Sequence, residues 1–256
     1  WLFTNVTDAK GKHYDMPVLV GGLAGNRAIY QIGFGHDLAQ INETWINAIN
    51  NPIPPAQVES GAPCQEIAIA GEDLLSGEGM DALPVPISTP GYDAAPYLTA
   101  TCCISADPET GIQNMGTYRC QVQSPNRITL NTNPGRQGYQ NYDSYAQKGK
   151  PAPVAVAICC EPAVHMATSA ALPKGVDEIT VAGGLKGAPI EMVQARTVDM
   201  LVPASAEIVV EGLLDPTGRM KEDGFGEFAG YMGEVGSRPF FDVQCITHRE
   251  DAIYYG

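Results

Sequence analysis

The segment Lys221-Glu-Asp-Gly-Phe-Gly-Glu-Phe-Ala-Gly-Tyr231 holds the residues of this chain best suited to chemistry. Glu222 and Glu227 bracket a Gly-Phe-Gly turn with Phe228 and Tyr231 behind them, and carboxyl groups beside apolar surface are candidates for proton transfer. A solvated acidic loop is the plainer reading of the same letters, and the two stand even. A second segment, Gly111 to Val122, sets Arg119 in the middle of an otherwise uncharged strand. A buried guanidinium needs an anionic partner, and its fork suits a carboxylate. An internal ion pair with Glu222 or Glu227 would satisfy it as well as a substrate would. In a regular strand Asn114 and Arg119 face opposite sides unless Gly116 makes a bulge, so one strand could serve two neighbouring sites.

Other motifs carry less. Gly21-Gly22-Leu-Ala-Gly25-Asn26-Arg27 falls between an expected strand and an expected helix, a setting that can hold a phosphate. It is neither a GxGxxG nor a Walker loop, and a tight turn with a solvated Arg27 explains it equally. His13, His36, His165 and His248 show no spacing that gathers two on one helical face, which argues against a His-based zinc site. The absence of GxSxG removes a nucleophile elbow. Seven cysteines, with vicinal Cys102-Cys103 and Cys159-Cys160 and no CxxC, read as small buried hydrophobes in a reducing compartment. A redox role for Cys102-Cys103 is the costlier alternative to a buried strand position.

The elements that must position these residues follow from periodicity. Met16 to Val20 is a β-rich run ending in Gly21-Gly22, and Leu38, Ile41, Trp45 and Ile49 are helically spaced behind an Asp37 cap. Pro52, Pro54 and Pro55 stop that helix. The Gly- and Pro-rich stretch from Ala82 to Pro96 predicts a boundary, with an N-terminal α/β lobe over residues 1–92 and a second domain over 93–256. In the second domain Tyr97–Ile104, Met115–Gln123, Arg127–Leu130, Val154–Cys159, Ile190–Ala195, Ile208–Val210 and Phe240–Ile246 read as strands of a barrel or sandwich. Asp107 to Gly111 reads as a turn, and Asp143–Gln147 and Ala163–Ala171 as short helices. The fold class is therefore α+β.

Composition bounds the function. With 256 residues, 44% hydrophobic and 17% charged, the chain is globular over most of its length. Fifteen basic against 29 acidic residues leave −14, a field that repels phosphate backbones, so nucleic acid is excluded as a partner. No apolar run reaches the ~18 residues of a membrane span. The chain opens on Trp1, not Met, with no signal peptide before it, so it reads as a fragment of a cytoplasmic protein.

Six motifs in order, Asp107-Pro-Glu-Thr-Gly, Asn114-Met-Gly-Thr-Tyr-Arg119, Pro153-Val-Ala-Val-Ala-Ile, Leu172-Pro-Lys-Gly-Val-Asp-Glu178, Val202 to Gly212 and Asp223-Gly-Phe-Gly-Glu-Phe-Ala-Gly-Tyr231, resemble the UbiD family of prenylated-FMN-dependent reversible (de)carboxylases. The resemblance runs from about Asp93 to Tyr254, with a weaker match over Pro17 to Gly33. It implies a split β-barrel that binds prenylated FMN, with a divalent cation, usually Mn²⁺, and often K⁺ bridging the flavin phosphate to the protein. Asn114 and Glu178 stand at the metal-ligand positions, and hard oxygen ligands suit such a cation. Gln137 falls where some members carry a histidine ligand, which leaves the third protein ligand open. Thr117, Tyr118 and Arg119, then Asn131, Thr132, Asn133 and Arg136, match flavin-contacting stretches. Arg119, Glu222 and Glu227 match the catalytic Glu-Arg-Glu set.

The implied reaction is loss or gain of CO₂ on an aromatic or α,β-unsaturated carboxylic acid, with a flavin prenyltransferase as cofactor supplier and a homo-oligomer or multi-subunit complex as the assembly. The family continues into a C-terminal domain, whereas this chain stops at Gly256. Truncation, completion by another polypeptide and an inactive copy are three readings of that difference. A non-catalytic subunit and an ordinary split-barrel flavin reductase are the rival functions, since a fold does not fix a function.

Overall fold

In a computed structural model the structure describes residues 1–256 apart from Ala24, His36 and Lys174, so those positions of the glycine cluster, the histidine set and the Leu172–Glu178 motif lie outside the described residues. Nine strands make the main sheet: β1 (Ile67–Ala70), β2 (Tyr97–Leu98), β3 (Thr101–Ala106), β4 (Gln113–Gly116), β5 (Cys120–Ser124), β6 (Arg127–Thr129), β7 (Ala152–Ile158), β8 (Ile208–Glu222) and β9 (Gly236–His248). Their order is β2-β5-β6-β9-β8-β7-β3-β4, with β1 also on β9. Two of the expected strands are therefore each two strands. Tyr97–Ile104 breaks after Leu98, and Met115–Gln123 breaks over Thr117–Arg119.

The break has a physical cause. The hairpin from Tyr97 to Ser124 serves both ends of the curled sheet: its Thr101–Ala106 half pairs with β7, and its Cys120–Ser124 half pairs with β6. One hairpin cannot stay flat and reach both ends, so it kinks and thereby closes a split barrel. Instead of a bulge, Gly116 ends its strand beneath the folded-back Tyr118 ring. A Cβ at Gly116 would sit 2.7 Å from the Tyr118 hydroxyl.

Alternation along β7 shows the two layers. Val154, Val156 and Ile158 join Cys103, Cys120, Ile128 and Phe241 inside the barrel, while Ala155 and Ala157 face the helical layer. That layer holds α1 (Arg27–Phe34), α2 (Ile41–Asn50), α4 (Pro162–Ser169) and α5 (Glu178–Lys186), and α3 (Gln137–Gln147) packs across β8 and β3. Asp37 caps the short turn ahead of α2, as its type predicts, by accepting from Ala39 N at 3.0 Å.

Other boundaries move. The Ile208–Val210 strand runs on to Glu222, its second half obscured in sequence by Asp215-Pro-Thr-Gly218, where the register with β9 shifts. The Asp143–Gln147 helix begins six residues earlier. Three pairings cross the Ala82–Pro96 stretch. Val18–Leu19 lies parallel to Tyr254–Tyr255, Ala56–Val58 parallel to Glu191–Val193, and β1 antiparallel to β9.

Candidate active site

Arg119 occupies the kink in the hairpin. Its backbone is held from behind by Thr101, whose hydroxyl donates to the Tyr118 carbonyl at 2.5 Å and accepts from Tyr118 N at 3.3 Å. Its guanidinium is held from both sides: Nε donates to Glu222 Oε1 at 3.2 Å and Nη1 to Glu227 Oε1 at 2.7 Å. The Phe225 ring lies 5.1 Å from the guanidinium carbon, and Tyr97 meets Phe225 edge-on at 5.0 Å. Among the described residues Arg119 Nη2 donates to no acceptor.

The two carboxylates reach Arg119 from the ends of one long hairpin. Glu222 closes β8 and is fully buried, and a buried charge requires full satisfaction. It receives three hydrogen bonds: Arg119 Nε and Asn131 Nδ2 (2.5 Å) on Oε1, and Thr129 Oγ1 (2.7 Å) on Oε2. Thr129 and Asn131 stand two residues apart on extended chain, so both side chains project to one face. Glu227 sits on the connecting loop, where its N–H donates to the Tyr231 carbonyl at 2.8 Å and the Gly233 N–H donates to the Phe225 carbonyl at 2.7 Å. Asp93 tethers that loop: its carboxylate accepts from Gly226 N at 2.9 Å and Thr89 N at 2.7 Å. Any Cβ at Gly226 would collide with the Thr89 hydroxyl.

Phe228 and Tyr231 do not form the apolar wall expected behind the carboxylates. Both side chains stand in solvent, and Phe225 takes that place, because the loop turns at Gly230 with a positive φ of 88°. The sequence also gave no notice of Thr129, Thr101 or Asp93. The two-residue spacing of Thr129 and Asn131 is the one signal that could have found a partner for Glu222.

The second cluster lies at the edge strand β4. Glu178 opens α5 behind the Asp177 cap, and its Oε2 accepts from Met115 N at 2.9 Å, one residue along from Asn114. Burial pushes the Glu178 carboxyl up, against the Met115 N–H that favours its charge. The Asn114 amide is buried with Nδ2 unpartnered, and Thr132 Oγ1 is likewise buried without a partner. Turning the amide over would present Oδ1 instead. An orphaned amide and a half-used carboxylate beside one strand fit a hard cation and an anionic ligand.

Gln137 Nε2 donates to Asn141 Oδ1 at 3.2 Å. Thr117 Oγ1 meets Ser169 Oγ at 3.3 Å, the Tyr118 hydroxyl receives the Gly138 N–H at 3.4 Å, and the Asn133 and Arg136 side chains are exposed ahead of α3.

The curled, split barrel and the half-buried Arg119 held by Glu222 and Glu227 can be set beside known proteins. Residues 56–256 match the family model described as 3-octaprenyl-4-hydroxybenzoate carboxy-lyase Rift-related domain. The chain belongs to the UbiD family. It is 36% identical to the UbiD-class enzyme HmfF from Pelotomaculum thermopropionicum, solved in complex with FMN, over 94% of this chain and 53% of that one, with a TM-score of 0.88. An evolved dimeric form of HmfF, in complex with prFMN, matches at 35% identity over 94% and 55% of the two chains, with a TM-score of 0.86. Vanillic acid decarboxylase of Sedimentibacter hydroxybenzoicus matches at 27% identity over 96% and 53%, with a TM-score of 0.87. The chain thus spans about half the length of the structures it matches. Among the described residues no helix is long and apolar enough to cross a membrane.

Proposed function

We propose that this chain carries the flavin- and carboxylate-binding part of a reversible, non-oxidative decarboxylase acting on aromatic or α,β-unsaturated carboxylic acids with prenylated FMN. The observation that carries the reading is Arg119 held between Glu222 and Glu227 with Nη2 left over. A flavin reductase has no use for that set.

Bound prenylated FMN would supply the electron sink that no side chain here offers. Asn114 and Glu178 would hold Mn²⁺, K⁺ would be a further cation, and Gln137, whose Nε2 and not its Oε1 is engaged by Asn141, would be a further oxygen donor. Thr117, Tyr118, Asn131, Thr132, Asn133 and Arg136 would line the flavin. Arg119 Nη2 orients the substrate carboxylate, and Glu222, fixed by Thr129 and Asn131, keeps the guanidinium plane from turning. Glu227 exchanges its Arg119 contact for a proton from solvent and delivers that proton to the carbon that loses CO₂. Cofactor supply falls to a flavin prenyltransferase, and the free thiols suit the reducing cytoplasm. A companion reading has a further polypeptide segment, or other subunits of an oligomer, complete the substrate pocket.

The test is coexpression with a flavin prenyltransferase, followed by the absorption spectrum of the purified protein and ¹³CO₂ release from a panel of labelled aromatic and α,β-unsaturated acids. Bound prenylated flavin with ¹³CO₂ release supports the reading. Nicotinamide-dependent FMN turnover without CO₂ would replace it with a reductase, and flavin binding without either activity with a non-catalytic subunit.

A further inference from the structure

The helix-facing side of β3 holds a cluster that the site above does not use. Sγ of Cys102, Sγ of Cys160 and a ring nitrogen of His165 lie within 4.8 Å of one another, all buried. His165 Nδ1 is 3.5 Å from Cys102 Sγ, and the backbone N–H of Cys160 points at His165 Nε2 across 3.0 Å. Thr168 Oγ1 is 3.6 Å from Cys102 Sγ. The vicinal partners Cys103 and Cys159 stand outside this group, Cys103 because successive strand residues face opposite sides of the sheet.

The second nitrogen of His165 decides what the cluster is for. A metal on Nδ1 would require Nε2 to carry the ring proton and give it to an acceptor. Here Nε2 faces a donor, so it keeps its lone pair and Nδ1 carries the proton toward Cys102 sulfur. That polarity disfavours a cation and stabilises a thiolate. We propose that Cys102 and Cys160 form a redox-active dithiol, with Cys102 as the sulfur that reacts with a peroxide and Cys160 as the thiol that resolves it. The hydrogen bond from Cys160 chiefly holds Cys102 below the ordinary thiol range, against its burial, and the hydrogen bond from His165 adds to it. The same bond, with burial, pushes Cys160 up.

The chemistry balances with hydrogen peroxide as oxidant. Cys102 gives its proton to solvent, and its thiolate, held by the His165 Nδ1–H, forms an S–O bond as the O–O bond breaks; the departing hydroxide takes the Cys160 thiol proton to become water. The Cys160 sulfur then displaces hydroxide from Cys102 to form the disulfide, and that hydroxide leaves as a second water with the proton that Cys102 released to solvent. Two thiols are oxidised and one peroxide is reduced. Sulfurs this close reach the ~2.05 Å bond by turning side chains. Cys102 lies between Thr101 and Cys103, both bonded to the Tyr118 carbonyl, so oxidation acts next to the kink that presents Arg119.

The experiment treats the reduced chain with one equivalent of hydrogen peroxide, counts thiols after denaturation and maps the crosslinked peptide by mass spectrometry. The expected result is loss of two of seven thiols, a Cys102–Cys160 peptide and full recovery with dithiothreitol. Cys160→Ser should stop at a Cys102 sulfenic acid that dimedone captures, and His165→Asn should slow thiol loss by at least about tenfold. Should either variant fail to fold, the parent peptide map alone decides. A crosslink to Cys103 or Cys159, no loss of Cys102, or stoichiometric Zn²⁺ uptake that protects both thiols would overturn the proposal.

Discussion

Glu222 and Glu227 touch the same guanidinium from surroundings that have almost nothing in common. Glu222 ends a fifteen-residue strand, is wholly buried and receives three hydrogen bonds. Glu227 rides a loop with its side chain 29% exposed, held by one ion pair beside residues that stand in solvent. The difference separates a carboxylate built into the barrel from one that can change partner. In the proposed function the fixed anion would align Arg119 and the movable one would do the acid–base work.

The comparison breaks most visibly at Glu222. Glu222→Ala leaves Arg119, Thr129 and Asn131 facing an empty buried site, and should cost about 3–5 kcal/mol in urea unfolding. A smaller loss, about 1–3 kcal/mol by the same measurement, is expected for Thr129→Val, which takes one donor from the buried carboxylate and an acceptor from Gln121 N while keeping the shape.

Alkali probes the buried thiols near the start of β8, the far end of that strand from Glu222. Burial pushes Cys64 and Cys245 up to about 11 and Cys159 up to about 12, so the unfolded chain loses these protons first as pH rises. The unfolded state then binds fewer protons than the native one, and stability must fall with rising pH. The decline begins near the unfolded thiol range at about pH 9 and approaches 1.4 kcal/mol per pH unit for each such thiol until its folded value is reached. Thermal midpoints taken from pH 8 to 11 will show it. The smallest effect belongs to Glu227→Gln, which should shift unfolding by less than about 1 kcal/mol because its ion pair is partly exposed. A cost equal to that of Glu222→Ala would erase the contrast.

Much of this was readable from residue order, and the failures share one cause. Arg119 in an uncharged strand pointed to an anionic partner, with Glu222 and Glu227 among the candidates, because a buried guanidinium demands anions whatever the path of the chain. The β-branched run Val154–Cys159 likewise marked a strand. The kink at Thr117–Arg119 was invisible, since it comes from closing the sheet and Tyr97–Ile104 and Met115–Gln123 each have the local pattern of one strand. Thr129, Thr101 and Asp93 escaped for a related reason: a threonine or aspartate that holds a distant group looks like any other. Phe228 and Tyr231 misled because adjacency in sequence was taken for adjacency in space, and Gly230 turned them outward. The Cys102–Cys160–His165 group needed the fold to bring β3, the end of β7 and α4 together.

The most direct measurement of the division of labour is deuterium exchange at the reacting carbon. Holoprotein carrying prenylated flavin is incubated in D₂O with the decarboxylated product of whichever panel acid it accepts, and exchange is followed by NMR. Glu227→Gln should keep its flavin and lose exchange and CO₂ release together by about 10²–10⁴-fold. Exchange at the parent rate in Glu227→Gln would show that the proton comes from another group and would contradict the account.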